Sequence, residues 1–151
     1  MKDIYLYENS NVLKNKLNIT DKLELETAEA DFLSYRILEV DGLVINDNFS
    51  AETLKEIHKH LFQDIYDWAG EFREINIEKY ERVLNGLSVK YLDFSQVENE
   101  LSKVFEVINA KDITEMGKDE LAEYITDVAS DIWKVHAFRE RKYQDYDLVS
   151  L

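Results

Sequence analysis

Proline is absent from this chain of 151 residues, and only four glycines interrupt it: Gly42, Gly70, Gly86 and Gly117. Proline breaks or kinks a helix, and glycine is the next strongest helix breaker. Long helices are therefore permitted nearly everywhere, and the glycines mark the expected breaks. The sequence predicts a mostly helical fold.

Four stretches carry the signals of a helix. The expected spans are Thr20-Asp21 to Asp41-Gly42, Ser50 to Gly70, Ser95 onward with Glu98 completing a capping box, and Gly117 to His136. Apolar side chains recur in each at helical spacing and predict its buried face. They are Leu23, Ala28, Phe32, Tyr35 and Leu38; Leu54, Ile57, Leu61, Ile65 and Trp68; Val97, Leu101, Val104, Phe105 and Ile108; and Leu121, Tyr124, Ile125, Val128 and Ile132.

The aromatic and histidine residues of these stretches have simple structural interpretations. Trp68, Phe72 and Trp133 are expected to belong to the core. His58 and His60 lie two positions apart on one predicted helix, so they point in different directions and make a poor pair of metal ligands. We expect both histidines at the surface.

Between the second and third helices the pattern changes to alternation. Glu74–Glu78 and Leu87–Tyr91 alternate polar and apolar residues, as half-buried strands do. Asn85-Gly86 between them is a strong signal for a hairpin turn. A lone hairpin is marginally stable, so it must lean on the helices. The predicted fold is all-α with one β-hairpin.

The formal net charge of -14 limits the partners of this chain. Nucleic-acid binding relies on clustered Lys and Arg, so we expect no nucleic-acid partner. No apolar run approaches the roughly 20 residues that cross a bilayer, and no secretory signal opens the sequence. With no cysteine, the composition suits a cytoplasmic protein. The acidic run from Glu24 to Asp31 is expected to be a solvated helix face.

Three short stretches together resemble the Fic family. Residues 57–73 read IHKHLFQDIYDWAGEFR, residues 75–79 read INIEK, and residues 136–140 read HAFRE. They are similar, in that order, to the helix before the family's flap, to its flap strand, and to the start of its motif His-x-Phe-x-Asp/Glu-Gly-Asn-Gly/Lys-Arg. The resemblance covers about residues 5–140. It implies a Fic-type helical domain that transfers AMP from ATP to a hydroxyl group of a target protein.

The resemblance also implies a role for each residue of the motif. His136 would be the general base that takes the proton of the target hydroxyl as it attacks the α-phosphate, which suits an imidazole at neutral pH. Glu140 would hold a magnesium ion that bridges the phosphates. Phe138 would point into the core and fix the loop.

The flap would bind the target protein, because an extended segment can pair with the flap backbone as an added strand. The flap residues matched to the family are Ile75, Ile77 and Lys79. Lys79 is also the candidate nucleotide-binding residue.

After Glu140 the sequence departs from the family pattern. The pattern asks for Gly-Asn-x-Arg, and residues 141–144 read RKYQ. One allowed set of codons for residues 140–145, with a single A removed, reads Glu-Gly-Asn-Thr-Arg-Thr instead. We therefore expect residues 1–140 to be an incomplete Fic domain and residues 141–151 to be an out-of-frame tail, which leaves the chain without activity.

Three functions remain open from the sequence. The first is the AMP transferase, with ATP and Mg²⁺ as its cofactors. The second is transfer of phosphate, as in the related Doc proteins. The third is a noncatalytic module that still binds a client or a small antitoxin protein. The nearest matches to the family's internal inhibitory motif, Ser/Thr-x-x-x-Glu-Gly/Asn, continue with Leu25 and Val107. Either a separate antitoxin supplies that motif, or a C-terminal copy was lost with the tail. The N-terminal segment with Tyr5 and residues 11–17 resembles toxin-type members of the family, which favours the antitoxin.

Overall fold

The computed structural model describes residues 2–43, 49–80 and 88–140 of the chain. These residues form helices α1 Lys22–Ile37, α2 Ala51–Phe62, α3 Val97–Ala110 and α4 Lys118–Val135, with strands β1 Glu78–Tyr80 and β2 Ser88–Lys90 between α2 and α3. The predicted all-α fold with one hairpin is confirmed. Within these ranges, no helix combines the length and the apolar character that crossing a bilayer requires. The expected tail at 141–151 lies outside the described residues.

Helix α1 begins one residue later and ends earlier than the sequence predicted. Its N-cap is Asp21, not Thr20, since the Asp21 carboxylate accepts a hydrogen bond from the backbone N–H of Glu24 at 2.8 Å. It ends at Ile37, and a separate 3-10 turn, Val40–Gly42, follows.

The buried face of α1 differs from the predicted one. Leu25 and Glu29 are buried. Three of the apolar residues assigned to the face are exposed: Leu23, Tyr35 and Leu38. Glu29 can turn inward because its carboxylate accepts a hydrogen bond from the Tyr66 hydroxyl at 2.5 Å. The prediction that Glu24 to Asp31 is a solvated face is therefore wrong at Glu29.

An ion pair joins the C-terminal ends of α1 and α2. Two nitrogens of the Arg36 guanidinium, Nε and Nη2, donate to the Asp64 carboxylate at 2.7 and 3.0 Å. These hydrogen bonds lower the pKa of Asp64 below its ordinary value. The pair fixes the angle at which the two helices pack.

Helix α2 starts as predicted and stops early. Ser50 is its N-cap, with Oγ accepting from the backbone N–H of Thr53 at 3.2 Å. The helix ends at Phe62 rather than at Gly70. Ile65 and Tyr66 then follow in turns and are fully buried, at 0% exposure. The apolar stripe read from the sequence therefore continues into the core after the helix has ended.

Helix α3 buries the face that the sequence predicted, with Val97, Leu101 and Phe105 fully buried. Its predicted capping box, Ser95 with Glu98, is wrong. Ser95 lies in a 3-10 turn, Phe94–Gln96, whose cap is Asp93; the Asp93 carboxylate accepts from the backbone N–H of Ser95 at 3.0 Å.

Helix α4 begins directly after Gly117, as predicted, and packs against α3. The prediction that Trp133 belongs to the core is wrong, because its side chain is 70% exposed. Ile125, assigned to the buried face, is 56% exposed. The apolar residues of α4 therefore spread around more of the helix surface than the part that packs against α3.

Two apolar clusters make the core. The first joins the N-terminal segment, α1, α2 and the chain after α2; its buried members are Tyr5, Val12, Leu13, Leu25, Phe62, Ile65, Tyr66, Ile75 and Ile77. The second joins α3 to the end of α4; its buried members are Val97, Leu101, Phe105, Val135 and Ala137. The loop after α4 is therefore part of a core cluster.

The hairpin is antiparallel, with Lys79 opposite Val89, and it begins at Glu78 rather than at Glu74. Before β1, the Ile77 carbonyl still accepts from the backbone N–H of Tyr91 at 3.4 Å, whereas Glu74 and Asn76 bind other groups. The backbone N–H of Glu74 donates to the Tyr5 hydroxyl at 2.9 Å, and the Asn76 side chain pairs with Asp93. The predicted turn at Asn85-Gly86 lies outside the described residues.

Candidate active site

His136 is the residue at which α4 turns into the loop of residues 136–140. It caps the helix in the left-handed conformation, with φ 49° and ψ 61°, and its N–H donates to the Trp133 carbonyl at 3.1 Å. Histidine is among the few non-glycine residues enriched in that conformation. The imidazole stacks on the ring of Tyr91, next to β2, with centroids 4.4 Å apart. The candidate base is thus half-buried between the end of α4 and the hairpin.

Arg73 fixes the loop from inside the protein. Its Nε donates to the His136 carbonyl at 2.7 Å, and its backbone N–H donates to the Ala137 carbonyl at 2.8 Å. The terminal nitrogens donate to the carbonyls of Ile75, at 2.8 Å, and Leu92. Burial lowers the pKa of the Arg73 guanidinium, whose side chain is only 2% exposed. The sequence assigned no role to Arg73, yet one guanidinium joins the loop to the chain on both sides of the hairpin.

Phe138 lies in the middle of the loop and is partly buried. Its ring stacks on the imidazole of His58, with centroids 3.8 Å apart and planes 10° apart. Phe72 packs against its other side at 5.4 Å. The loop is therefore attached to α2 and to the chain before β1 by ring contacts.

Arg139 is held through both its backbone and its side chain. Its carbonyl accepts a hydrogen bond from Trp68 Nε1 at 2.6 Å. Its guanidinium pairs with the carboxylate of Asp3 at 2.7 Å. Trp68 is half-buried, in line with its assignment to the core, and here its polar atom has a specific partner.

Glu140 ends the described part of the loop, and its carboxylate meets a buried histidine. Oε2 lies 3.1 Å from Nε2 of His58, whose side chain is 5% exposed. Nδ1 of the same ring accepts the backbone N–H of Gly70 at 2.9 Å. Gly70 has φ +82°, and a Cβ on it would lie 2.6 Å from the side chain of Lys59, so glycine is required at this position.

The prediction that His58 and His60 are surface residues is wrong. His58 is buried in the site, and His60 is 14% exposed, with Nε2 near the Arg36 carbonyl at 3.1 Å. A local signal for His58 existed: it stands four residues after Leu54 and four before Phe62, on the apolar face of α2.

The flap residues occupy two kinds of position. The side chains of Ile75 and Ile77 are buried in the first core cluster. Lys79 lies in β1, paired with Val89. Any contact between Ile75 or Ile77 and a target would therefore use their backbone, as expected for a target segment that pairs with the flap as an added strand. Binding of a target or a nucleotide by these residues stays a prediction.

The residues present fit part of a magnesium site. Magnesium is held by one or two carboxylates together with substrate phosphates, and Glu140 offers one carboxylate, with Oε2 fixed by His58. Among the residues that the structure describes, no group of three or more His, Asp or Glu side chains could hold a metal by itself. Glu140 would thus bind the ion together with oxygen ligands beyond the described residues, such as those of a bound phosphate.

The sequence after Glu140 differs from the phosphate-binding pattern that the family resemblance implies. A phosphate site at this place needs backbone N–H groups of a glycine-containing turn and an arginine at a set spacing. The sequence RKYQ at 141–144 offers neither the glycine nor the arginine at the fourth position.

Comparison with known proteins identifies the family. The model of the Fic/DOC family matches residues 48–140, which is more than half of the chain and includes α2, the hairpin, α3, α4 and the loop through Glu140. The chain belongs to the Fic/DOC family.

Two curated relatives are protein adenylyltransferases by name. "Protein adenylyltransferase VbhT" of Bartonella schoenbuchensis is 33% identical over 97 residues, which are 64% of this chain and 19% of that protein. "Probable protein adenylyltransferase Fic" of Escherichia coli is 35% identical over 77 residues, which are 50% of this chain and 37% of that protein. The chain thus corresponds to only a minor part of each relative.

Solved structures show the same fold. The N-terminal Fic domain of the effector protein Bep8 from Bartonella sp. 1-1C superposes with a TM-score of 0.78 at 20% identity, over 90% of this chain and 67% of that one. BepC from Bartonella tribocorum, solved with bound AMPPNP, gives 0.76 at 24% identity, over 90% and 69%. The expected Fic fold is confirmed.

Proposed function

We propose that this chain carries the base and the metal ligand of a Fic-type protein AMP transferase, and that it lacks the part that holds the phosphates. His136 would take the proton of the target hydroxyl, and Glu140 would bind magnesium together with the nucleotide. The observation that carries the proposal is the fixed geometry of the loop. Arg73, Trp68 and His58 each bind a different residue of it.

AMP rather than phosphate is the transferred group in this proposal. Two curated relatives are named adenylyltransferases, and BepC of the same fold was solved with bound AMPPNP. Phosphate transfer remains the alternative, because the family model includes the Doc proteins.

The missing phosphate loop explains why we expect no transfer by the present sequence. A single preorganised donor to a developing charge contributes about 3 kcal/mol to transition-state stabilisation. Residues 141–144 replace several such donors with RKYQ. The loss therefore corresponds to a rate decrease of at least about a thousandfold.

A labelling experiment tests both parts of the proposal. The present chain and the chain encoded after removal of the single base would each be incubated with a cell lysate and either α-labelled or γ-labelled ATP. We expect α-label on a protein only with the restored chain, and none when the restored chain also carries His136→Ala. Transfer of the γ-label would instead identify a phosphotransferase. Equal α-labelling by the present chain would refute the claim that the phosphate loop is required.

A noncatalytic binding role is the second candidate, and one observation favours it. Trp133 and Ile125 expose apolar surface on α4, which a partner would cover. The small antitoxin expected from the sequence is one such partner. Co-purification of a small protein with His136→Ala, and its loss with Trp133→Arg, would support binding without chemistry; retention with Trp133→Arg would exclude this surface.

A further inference from the structure

His58 is a buried histidine for which the proposed chemistry has no role. It lies on α2, far from the motif in sequence, and its side chain is 5% exposed. Its ring lies between two phenyl rings, Phe62 at 4.5 Å and Phe138 at 3.8 Å, which are nearly parallel to it. The plane of the imidazole is therefore fixed on both sides.

The tautomer of His58 is fixed by the backbone. The N–H of Gly70 can only donate, and it points to Nδ1 at 2.9 Å, so Nδ1 carries no proton. A neutral imidazole then bears its proton on Nε2. That N–H faces Oε2 of Glu140 at 3.1 Å and donates to it.

Among the residues that the structure describes, Glu140 accepts a side-chain hydrogen bond through Oε2 alone. Carboxylate oxygens are the ligands that a hard cation requires, and Oε1 of the same group is suited to that role. Outer-shell donors of this kind commonly orient the groups that bind a metal. The backbone of Gly70, the ring of His58 and the carboxylate of Glu140 thus form one continuous chain of hydrogen bonds.

We propose that His58 is a positioning residue for Glu140: the neutral ring, with its tautomer fixed by the Gly70 N–H, holds the carboxylate in the orientation that binds magnesium. The inference rests on the proposed function only in taking Glu140 as the metal ligand. It gives a role to the backbone N–H of Gly70, which is the first member of the chain of hydrogen bonds.

Two substitutions separate the two hydrogen bonds of the ring. In His58→Gln the amide nitrogen lies near the position of Nε2, so the donor to Glu140 is kept and the acceptor for Gly70 is lost. In His58→Asn the amide oxygen lies near the position of Nδ1, so the acceptor is kept and the donor is lost. A role in packing alone would not produce opposite effects in the two variants.

The readout is nuclear magnetic resonance of the free chain, without nucleotide. The sequence has three histidines, so the ring nitrogens can be assigned by single substitutions. We expect the Nε2–H tautomer for His58 in the unsubstituted chain. Side-chain couplings of Glu140 should show one rotamer in that chain and in His58→Gln, and averaged rotamers in His58→Asn. Amide exchange at Gly70 should become several-fold faster in His58→Gln only.

An Nδ1–H tautomer, or a Glu140 rotamer that is equally ordered in both variants, would overturn the inference. Should a variant fail to fold, the tautomer of the unsubstituted chain still decides the question. None of these measurements involves AMP transfer, so absence of transfer by the restored chain would count against the proposed function and not against the role of His58.

Discussion

Replacing Arg73 with methionine tests how the loop that carries His136 is held in place. Methionine keeps much of the apolar length of the side chain and removes all of its donors. The guanidinium donates to the carbonyls of His136 and Ile75 at 2.7 and 2.8 Å, and also to that of Leu92. Nη2 also donates to the Val135 carbonyl at 3.4 Å. Arg73→Met therefore leaves four carbonyls without this donor in a region where the side chain was 2% exposed.

The magnitude follows from two opposing contributions. A hydrogen bond from a charged donor stabilises by about 1.5–3 kcal/mol, and four are lost, of which the one to Val135 is long at 3.4 Å. Against this, the variant no longer buries a charge, which costs several kcal/mol and is the cause of the lowered pKa of Arg73. We expect a net destabilisation of about 3–5 kcal/mol, which for a domain of this size lowers Tm by about 10 °C or more.

The assay is urea unfolding followed by circular dichroism, with Arg36→Met as the matched control. Arg36 also makes several hydrogen bonds, but its partners are carboxylates that water can reach, so its loss should cost much less than that of Arg73. In the native state of Arg73→Met, the ring protons of His136 should lose the shift caused by stacking on Tyr91. A cost for Arg73→Met no larger than that for Arg36→Met would refute the assignment of Arg73 as the residue that fixes the loop.

Three further predictions concern a glycine, a tryptophan and an ion pair. Gly70→Ala should destabilise by more than about 2 kcal/mol, because its Cβ would meet a side-chain carbon of α2 at 2.6 Å at φ +82°; Gly42→Ala, with no atom within 4 Å, should change stability by less than about 0.5 kcal/mol in the same urea assay. Trp133→Phe should remove most of the fluorescence that iodide quenches, since that side chain is 70% exposed, and undiminished quenching would contradict this. The ion pair with Arg36 lowers the pKa of Asp64, so the stabilisation from this pair is full above about pH 4 and is lost as the pH falls through the lowered pKa. The difference in unfolding free energy between the unsubstituted chain and Asp64→Asn should therefore shrink in acid. A difference that stays constant with pH would contradict this prediction.

Local sequence patterns predicted the features whose causes are local. Ser50 caps α2 through a hydrogen bond to a residue three positions away, and α3 buries Val97, Leu101 and Phe105 at helical spacing. The prediction failed for α1, where Glu29 turns inward because its partner, Tyr66, lies 37 residues further along the chain. No pattern within the helix carries that information.

The candidate site shows the same division between local and distant causes. His136 and Glu140 could be named from a short motif, because spacing along the chain defines it. Arg73 and His58 could not be given roles, because they act on residues 63 and 82 positions away. Both are polar, and polar side chains are expected at the surface unless a buried partner is known. The sequence signal that could have indicated their burial is that both residues stand among apolar neighbours.

The contacts that hold residues 136–140 in place involve residues from earlier in the chain. Within the part of the chain that the structure describes, they come from Asp3, His58, Trp68, Arg73 and Tyr91, all of which precede the motif. We predict that these contacts suffice to set the geometry of the base and the metal ligand, whatever sequence follows Glu140. The chain encoded after removal of one nucleotide should show the same His136 ring shifts and the same Glu140 rotamer as the present chain, although the sequence after Glu140 is entirely different. Residues 136–140 and the segment after Glu140 would then be ordered separately, so restored AMP transfer should come from phosphate binding alone. If His136 or Glu140 becomes ordered only in the restored chain, the two parts of the motif fold together.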